Sequence, residues 1–443
     1  MSTTLVATAM AAAVGSPAAV TRQMSSQLST AARPVEPTRP HATGHPGSGP
    51  SPNADAGQDP AATLPTGTTT PVPLDEPAPP PAAAVSTVGP SATDAADAIT
   101  ASDGQLMLDG RPYHFVGVNA YEIATAWGVN GSCGTMVSDQ QLDQLFGSLP
   151  PNSLVRFWAW EGSMAVNIHT HQLDWSALDR IFATATRFHQ RLLVVIAGQS
   201  GACDAGNWKD PAWYSGGFSQ VVDPNGLTPL SYWDYLQAIV NRYKASPALG
   251  MWEPISEPEA STCPPQYQPS DCGGHQTCPD EAAAARAMRS FFDAVGGEIH
   301  ALDPVHLVES GTIGSGQCGT SGPDYETVSA SRGIDVLSYH DYNGPIPIGG
   351  DQWNGLALRF GEASALRKPI IGGEIGLTAG TGPDCATPAA RADQFTIKET
   401  AQLQAGSSGL LVWDWEPGPP SDCTFDTYPG DPLMGVIAEG PRA

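Results

Sequence analysis

The sequence predicts an α/β protein of the (β/α)8, or TIM-barrel, class, and three observations carry that reading. From Gln105 onward, eight short apolar runs suited to strands recur along the chain. Amphipathic stretches with helical spacing lie between them. The cysteines, and the glutamates that end apolar runs, fall after the strand-like segments, where the loops of such a barrel gather at one face.

The predicted strands span residues 113–119, 154–158, 192–197, 249–254, 306–309, 334–340, 369–374 and 409–415. Between them, Trp175, Leu178, Ile181, Phe182, Ala185 and Phe188 share one face of a helix, and Tyr232, Tyr235, Leu236, Ile239 and Tyr243 repeat the pattern. Residues 281–301 form an alanine-rich helix with Met288, Phe291, Phe292 and Val295 as its buried stripe, and 390–405 behaves similarly. After the fifth strand the helical pattern is weak.

The N-terminal part is different. Residues 31–101 are dominated by Pro, Ala, Thr, Ser and Gly, which cannot bury enough surface to offset their ordering entropy, so they read as a disordered linker. Residues 1–30 hold a small, apolar, signal-like stretch, although no Lys or Arg precedes it. A catalytic domain is expected over 102–443.

Composition excludes several function classes. The 443 residues carry 20 basic and 45 acidic side chains, a formal charge of -25, with no basic run to meet phosphates, so no nucleic-acid partner is expected. No apolar run reaches membrane-spanning length. Cys133, Cys203, Cys263, Cys272, Cys278, Cys318, Cys385 and Cys423 lie in predicted loops, as oxidised staples of an exported or cell-envelope enzyme would. Unpaired cytosolic thiols are the alternative. Cys263, Cys272 and Cys278 with His275 lack the Cys-x-x-Cys pairing of a structural zinc site.

Two glutamates stand out as chemistry. Glu257 lies in Trp252-Glu253-Pro254-Ile255-Ser256-Glu257-Pro258 and Glu374 in Gly372-Gly373-Glu374-Ile375-Gly376, each following an apolar run. Two carboxylates across one pocket suffice to cleave a glycosidic bond: one protonates the leaving oxygen and the other attacks the anomeric carbon. Glu253 is a rival for the acid, and the flanking glycines of Glu374 could instead mark a tight turn.

Six motifs, in order and spacing, carry a family resemblance. They are 108–121 (LDGRPYHFVGVNAY), 155–160 (VRFWAW), Glu257-Pro258, 338–342 (SYHDY), 373–376 (GEIG) and 411–415 (LVWDW). Together they resemble the clan A retaining glycoside hydrolases, particularly the endo-β-1,4-mannanase-like branch of family 5.

The resemblance implies that Glu257 is the general acid/base and Glu374 the nucleophile, with carboxyl groups about 5–5.5 Å apart. It implies that Arg156 keeps the nucleophile ionised, that His340 and Tyr342 flank it, and that Trp413 is an indole platform under the sugar; Trp158 and Trp160 are further candidate platforms. Ser256 stands where this clan usually has an asparagine that grips the sugar 2-hydroxyl, and Ala197-Gly198-Gln199-Ser200 departs from the usual polar contact after strand three. The expected function is retaining hydrolysis of a β-linked polysaccharide, mannan first. A β-glucanase, a hydrolase of a furanose-containing cell-envelope glycan and a non-catalytic carbohydrate-binding barrel remain open alternatives. A carboxylate pair calls for no metal or organic cofactor. The expected partner is a polysaccharide or oligosaccharide, and the expected state a monomer.

Overall fold

A computed structural model describes residues 97–442 apart from 125–128, 131–136, 201–203, 205–206, 224–225, 269–271, 383–384 and 421. The signal-like segment, most of the expected linker, Cys133 and Cys203 lie outside the described residues.

Strand and helix alternate throughout. Strand β1 (Phe115–Asn119) is followed by α1 (Asp139–Ser148), β2 (Leu154–Trp158) by α2 (Ser176–Arg187), and β3 (Arg191–Val195) by α3 (Tyr232–Tyr243). Then come β4 (Leu249–Glu253), α4 (Glu281–Leu302), β5 (Leu307–Val308), α5 (Asp324–Ser329), β6 (Leu337–Asp341) and α6 (Leu356–Leu366). The series ends with β7 (Ile370–Gly376), α7 (Pro388–Ala405), β8 (Ser407–Trp413) and α8 (Pro432–Ala438). The weak fifth helical pattern is matched by the six-residue α5. Helix starts are fixed locally: the side chains of Ser138, Ser231, Asp280, Thr387 and Asp431 each accept a first-turn backbone N–H.

The strands form one parallel eight-stranded sheet in the order β5-β4-β3-β2-β1-β8-β7-β6. Its two ends meet: Glu309 bridges Val336, and Ser310 N donates to Val336 O at 3.0 Å. The sheet is therefore a closed TIM barrel, as the alternation predicted.

Its floor is apolar. Phe115, Leu154, Leu193, Met251, Val336, Ile371 and Leu411 cluster there with Ile99, Leu106 and Tyr113 from the preceding residues. Thr100–Ser102, Gln105–Leu108 and Arg111–Pro112 form a small antiparallel sheet that brings those three side chains to the barrel. Ala98 and Ile99, which composition assigned to the end of the linker, are buried, so ordered chain starts before residue 102.

Among the described residues the disulfides are Cys263–Cys272, Cys278–Cys318 and Cys385–Cys423. The first closes on itself within the loop after β4, the second joins the loops after β4 and β5, and the third those after β7 and β8, at the face where the strands end. These bonds occupy the three cysteines of the zinc alternative, while His275 stacks on Tyr267. No helix among the described residues is long and apolar enough to cross a membrane.

Candidate active site

Side chains two positions apart on a strand share a face, so the apolar floor fixes what comes above it. Two residues beyond Leu154, Met251, Val336 and Leu411 come Arg156, Glu253, Ser338 and Trp413. Arg156, fully buried, is the centre of this polar layer. Its Nε donates to Glu253 Oε2 at 2.6 Å; one terminal nitrogen donates to Glu374 Oε1 and Asn119 Oδ1 at 2.8 Å; the other donates to Glu253 Oε1 at 2.7 Å and Ser256 Oγ at 2.8 Å. All of its donors are thereby used. Arg156 thus pairs with the buried Glu253 and also touches Glu374.

Glu253, the rival acid, is fully buried in this bidentate pair. Asn119 adds a link that the sequence motifs did not assign: its Nδ2 donates to the carbonyl of Gly373 at 2.9 Å, beside Glu374.

Glu374 reaches the mouth through a break in register. Tyr339 pairs with Gly372 and His340 with Glu374, leaving Gly373 as the extra residue of a bulge, which turns the following side chain to the face it would otherwise miss. The surrounding glycines make room rather than mark a turn. A Cβ on Gly376 would lie 2.2 Å from the Tyr342 ring, and one on Gly373 would lie 2.5 Å from Ser338 Oγ. Tyr342 uses that space to donate its hydroxyl to Glu374 Oε2 at 2.6 Å.

The Glu374 carboxyl is raised above its ordinary range. Burial is the largest cause, opposed by His340 and Arg156 and reinforced by the Glu257 charge. The expectation that Arg156 would hold it low meets a physical limit, because that guanidinium is shared with Glu253.

Glu257 sits just past β4, its side chain a quarter exposed. Its φ of 53° is left-handed, an uncommon state for a non-glycine residue, and it is held there by its N–H donating to Gly311 O at 2.9 Å and by Gln317 donating to its carbonyl at 3.2 Å. His340 stands between the two carboxylates. Its Nδ1 lies 3.0 Å from Glu257 Oε1 and 3.4 Å from Glu374 Oε2. One oxygen of each glutamate and a ring nitrogen of His340 fall within 4.8 Å of one another. A sugar acetal carbon and its leaving oxygen fit across such a gap, whereas water-first inversion needs roughly 6.5–9.5 Å between the carboxyls.

Trp413, half-buried, stacks on Tyr121 with ring centres 5.3 Å apart. Trp158 meets it edge-on at 5.6 Å and lies under Arg156. Trp158 and Trp160 are both buried, so of the candidate indoles Trp413 is the one that retains exposure. Ser256 is buried, and its oxygen accepts from Arg156 while its own O–H remains to donate. Gln199 is engaged by Tyr214 and by the Lys209 carbonyl, a loop support. The structure thus gathers Arg156, Ser256, Glu257, His340, Tyr342, Glu374 and Trp413 at one end of the barrel.

No protein-family model matches the chain. It is 25% identical over 353 residues to the Probable mannan endo-1,4-beta-mannosidase F of Aspergillus flavus, an alignment covering 71% of this chain and 66% of that relative. Among solved structures, the endo-1,4-beta-mannanase from Rhizomucor miehei superposes with a TM-score of 0.55 at 19% identity, over 77% of this chain and 98% of that one. A glycoside hydrolase family 5 mannosidase from the same organism gives 0.50 at 16%, over 78% and 97%. At such identities these structures speak to the fold. In sequence and in architecture, the chain resembles the endo-1,4-β-mannanases of glycoside hydrolase family 5.

Proposed function

We propose that the chain is a retaining glycoside hydrolase of β-linked polysaccharide, mannan foremost, with Glu374 as nucleophile and Glu257 as acid/base. One observation carries the reading: a carboxylate oxygen from each glutamate lies within 4.8 Å of the other, with His340 between them. Glu374 attacks the anomeric carbon while the Glu257 proton passes to the departing oxygen; water then gives its proton to Glu257, adds to that carbon and releases Glu374. Arg156 and Tyr342 hold Glu374 aimed, and Trp413 supplies an apolar face for the ring.

The names of the relatives support mannan, and three disulfides among the described residues support an exported enzyme, with residues 1–30 signal-like, a linker that ends before the buried Ala98, and a catalytic domain from there to residue 443.

The test is product analysis on mannan, glucan and aryl-glycosides. Glu374→Gln is expected to lower turnover by several orders of magnitude, while Glu257→Ala keeps activity on activated leaving groups and gains rate with azide. Wild-type rates in Glu374→Gln would refute the assignment.

A further inference from the structure

The backbone of the acid/base is held by a neighbouring segment of the barrel. Glu257 lies beyond the end of β4 with a left-handed φ, and the chain that follows β5 supplies two hydrogen bonds to it: Gly311 O accepts its N–H at 2.9 Å, and Gln317 Nε2 donates to its carbonyl at 3.2 Å. The position of Gly311 therefore sets the position of Glu257.

The residues on either side of Gly311 are tied to β6. Ser310 Oγ accepts from Ser338 N at 3.1 Å, and Thr312 Oγ1 donates to Ser338 O at 3.3 Å. Gly311 itself has a φ of 65° and the widest conformational freedom of the three. A side chain is excluded there, since a Cβ would lie 2.0 Å from Ile255 O and 2.8 Å from Glu253 Oε1. Its N–H is taken instead by a side chain two residues back, donating to Glu309 Oε2 at 2.8 Å.

Glu309 is fully buried just past β5 and takes no part in the bond-making steps of the two-glutamate reaction. An acid in that place is costly: burial first, and then the Glu253 charge, push its carboxyl well above the ordinary range. An apolar side chain of the same volume would fill the space without that cost, but it would leave the Gly311 N–H buried and unpaired. What the glutamate provides is an acceptor that fixes Gly311.

We propose that the segment after β5 is the seat of the acid/base, with Glu309 and Gln317 as positioning residues. Glu309 holds the Gly311 N–H, the Gly311 carbonyl holds the Glu257 N–H, and Gln317 holds the Glu257 carbonyl, so the height of the Glu257 carboxyl beside the leaving oxygen is set by a chain of hydrogen bonds that begins inside the barrel. The inference rests on the reading of Glu257 as acid/base and names further residues on which that step depends.

The test compares leaving groups, because only cleavage that needs a proton depends on where the Glu257 carboxyl stands. Two substrates are used with the full chain: the polysaccharide that the wild type cleaves fastest in a panel of mannan and glucan, and a dinitrophenyl glycoside of the same sugar. In Glu309→Met, kcat/KM on the polysaccharide should fall about 10–100-fold, while kcat/KM on the dinitrophenyl glycoside stays within about twofold. Glu309→Gln keeps an accepting oxygen and should recover most of the rate lost in Glu309→Met. Gln317→Ala, at a half-buried loop position, should show the same selective loss in weaker form, and it decides the question where Glu309→Met does not fold. Equal losses on both substrates, an unchanged ratio of the two rates, or a loss in Glu309→Gln as large as in Glu309→Met overturns the proposal. Glu257→Ala is measured alongside. If it shows the selective loss and the Glu309 and Gln317 variants do not, this inference alone fails; if it lacks that loss, or the wild type cleaves no glycan, the parent assignment fails.

Discussion

Replacing Glu253 with Gln separates the two roles this carboxylate could have. Glu253 is fully buried and accepts two hydrogen bonds from Arg156, at 2.6 and 2.7 Å. In the variant one accepting oxygen becomes an NH2 that faces a donor, and Arg156 keeps only Glu374 as a charged partner. Removing one member of a buried pair costs about 3–5 kcal/mol, so thermal unfolding should move down by several degrees.

The catalytic effect follows from the same charge. Two carboxylates on opposite edges of one guanidinium, roughly 6 Å apart at an effective dielectric near 20, repel by about 3 kcal/mol. With Glu253 neutral, Arg156 acts on Glu374 undivided and the raised carboxyl should come down.

A nucleophile is active when ionised, so the acid limb of kcat/KM marks its titration, and lowering that titration moves the limb to lower pH by about one unit or more. The same raised carboxyl binds its proton more tightly folded than unfolded, so its contribution to stability is present at low pH and lost as pH rises through the folded value. The assay is a pH series of kcat/KM on one aryl-glycoside, with thermal melts at each pH. If Glu253→Gln instead abolishes the basic limb and spares only activated leaving groups, Glu253 is the acid and the assignment of Glu257 is wrong.

Two further substitutions probe the frame of the site. Gly376→Ala places a Cβ 2.2 Å from the Tyr342 ring, so Tyr342 must move and its bond to Glu374 is lost; kcat should fall about 10–100-fold, measured beside Tyr342→Phe, which removes the same bond without a clash. Opening Cys385–Cys423, which closes 38 residues and tethers the loop bearing Phe425, should lower stability by about 2–4 kcal/mol in denaturant titrations and raise KM; an unchanged KM would show that this loop does not shape the cleft.

The barrel was legible because its signals are local. Runs such as Leu154–Trp158 and Leu249–Glu253 are largely apolar and buried on both faces, the mark of a parallel strand covered on each side, and the stripe through Met288, Phe291, Phe292 and Val295 has helical spacing. The two glutamates could be found because each follows such a run. Glu253 and Asn119 were harder to assign, because an acid inside a strand reads the same whether it protonates a sugar or pairs with an arginine from two strands away. The bulge at Gly373 was beyond reach for a similar reason: it is a property of pairing with β6, absent from either strand alone.

The same distinction explains why the raised titration of Glu374 was missed. From sequence, an arginine beside a carboxylate implies a lowered pKa, and the motif containing Arg156 gave no hint that its charge would be divided. In the folded barrel one guanidinium answers to Glu253 and Glu374 together, so each receives less stabilisation than a private partner would give, and burial then dominates Glu374. Such a site is poised rather than clamped. Tyr342 donates a hydrogen bond to Glu374 and His340 Nδ1 lies 3.4 Å from it, and removing either should raise its titration further, whereas neutralising Glu253 should lower it. Opposite movements of one acid limb under these substitutions are what a shared guanidinium requires, and a merely structural Arg156–Glu253 pair would leave that limb where it is.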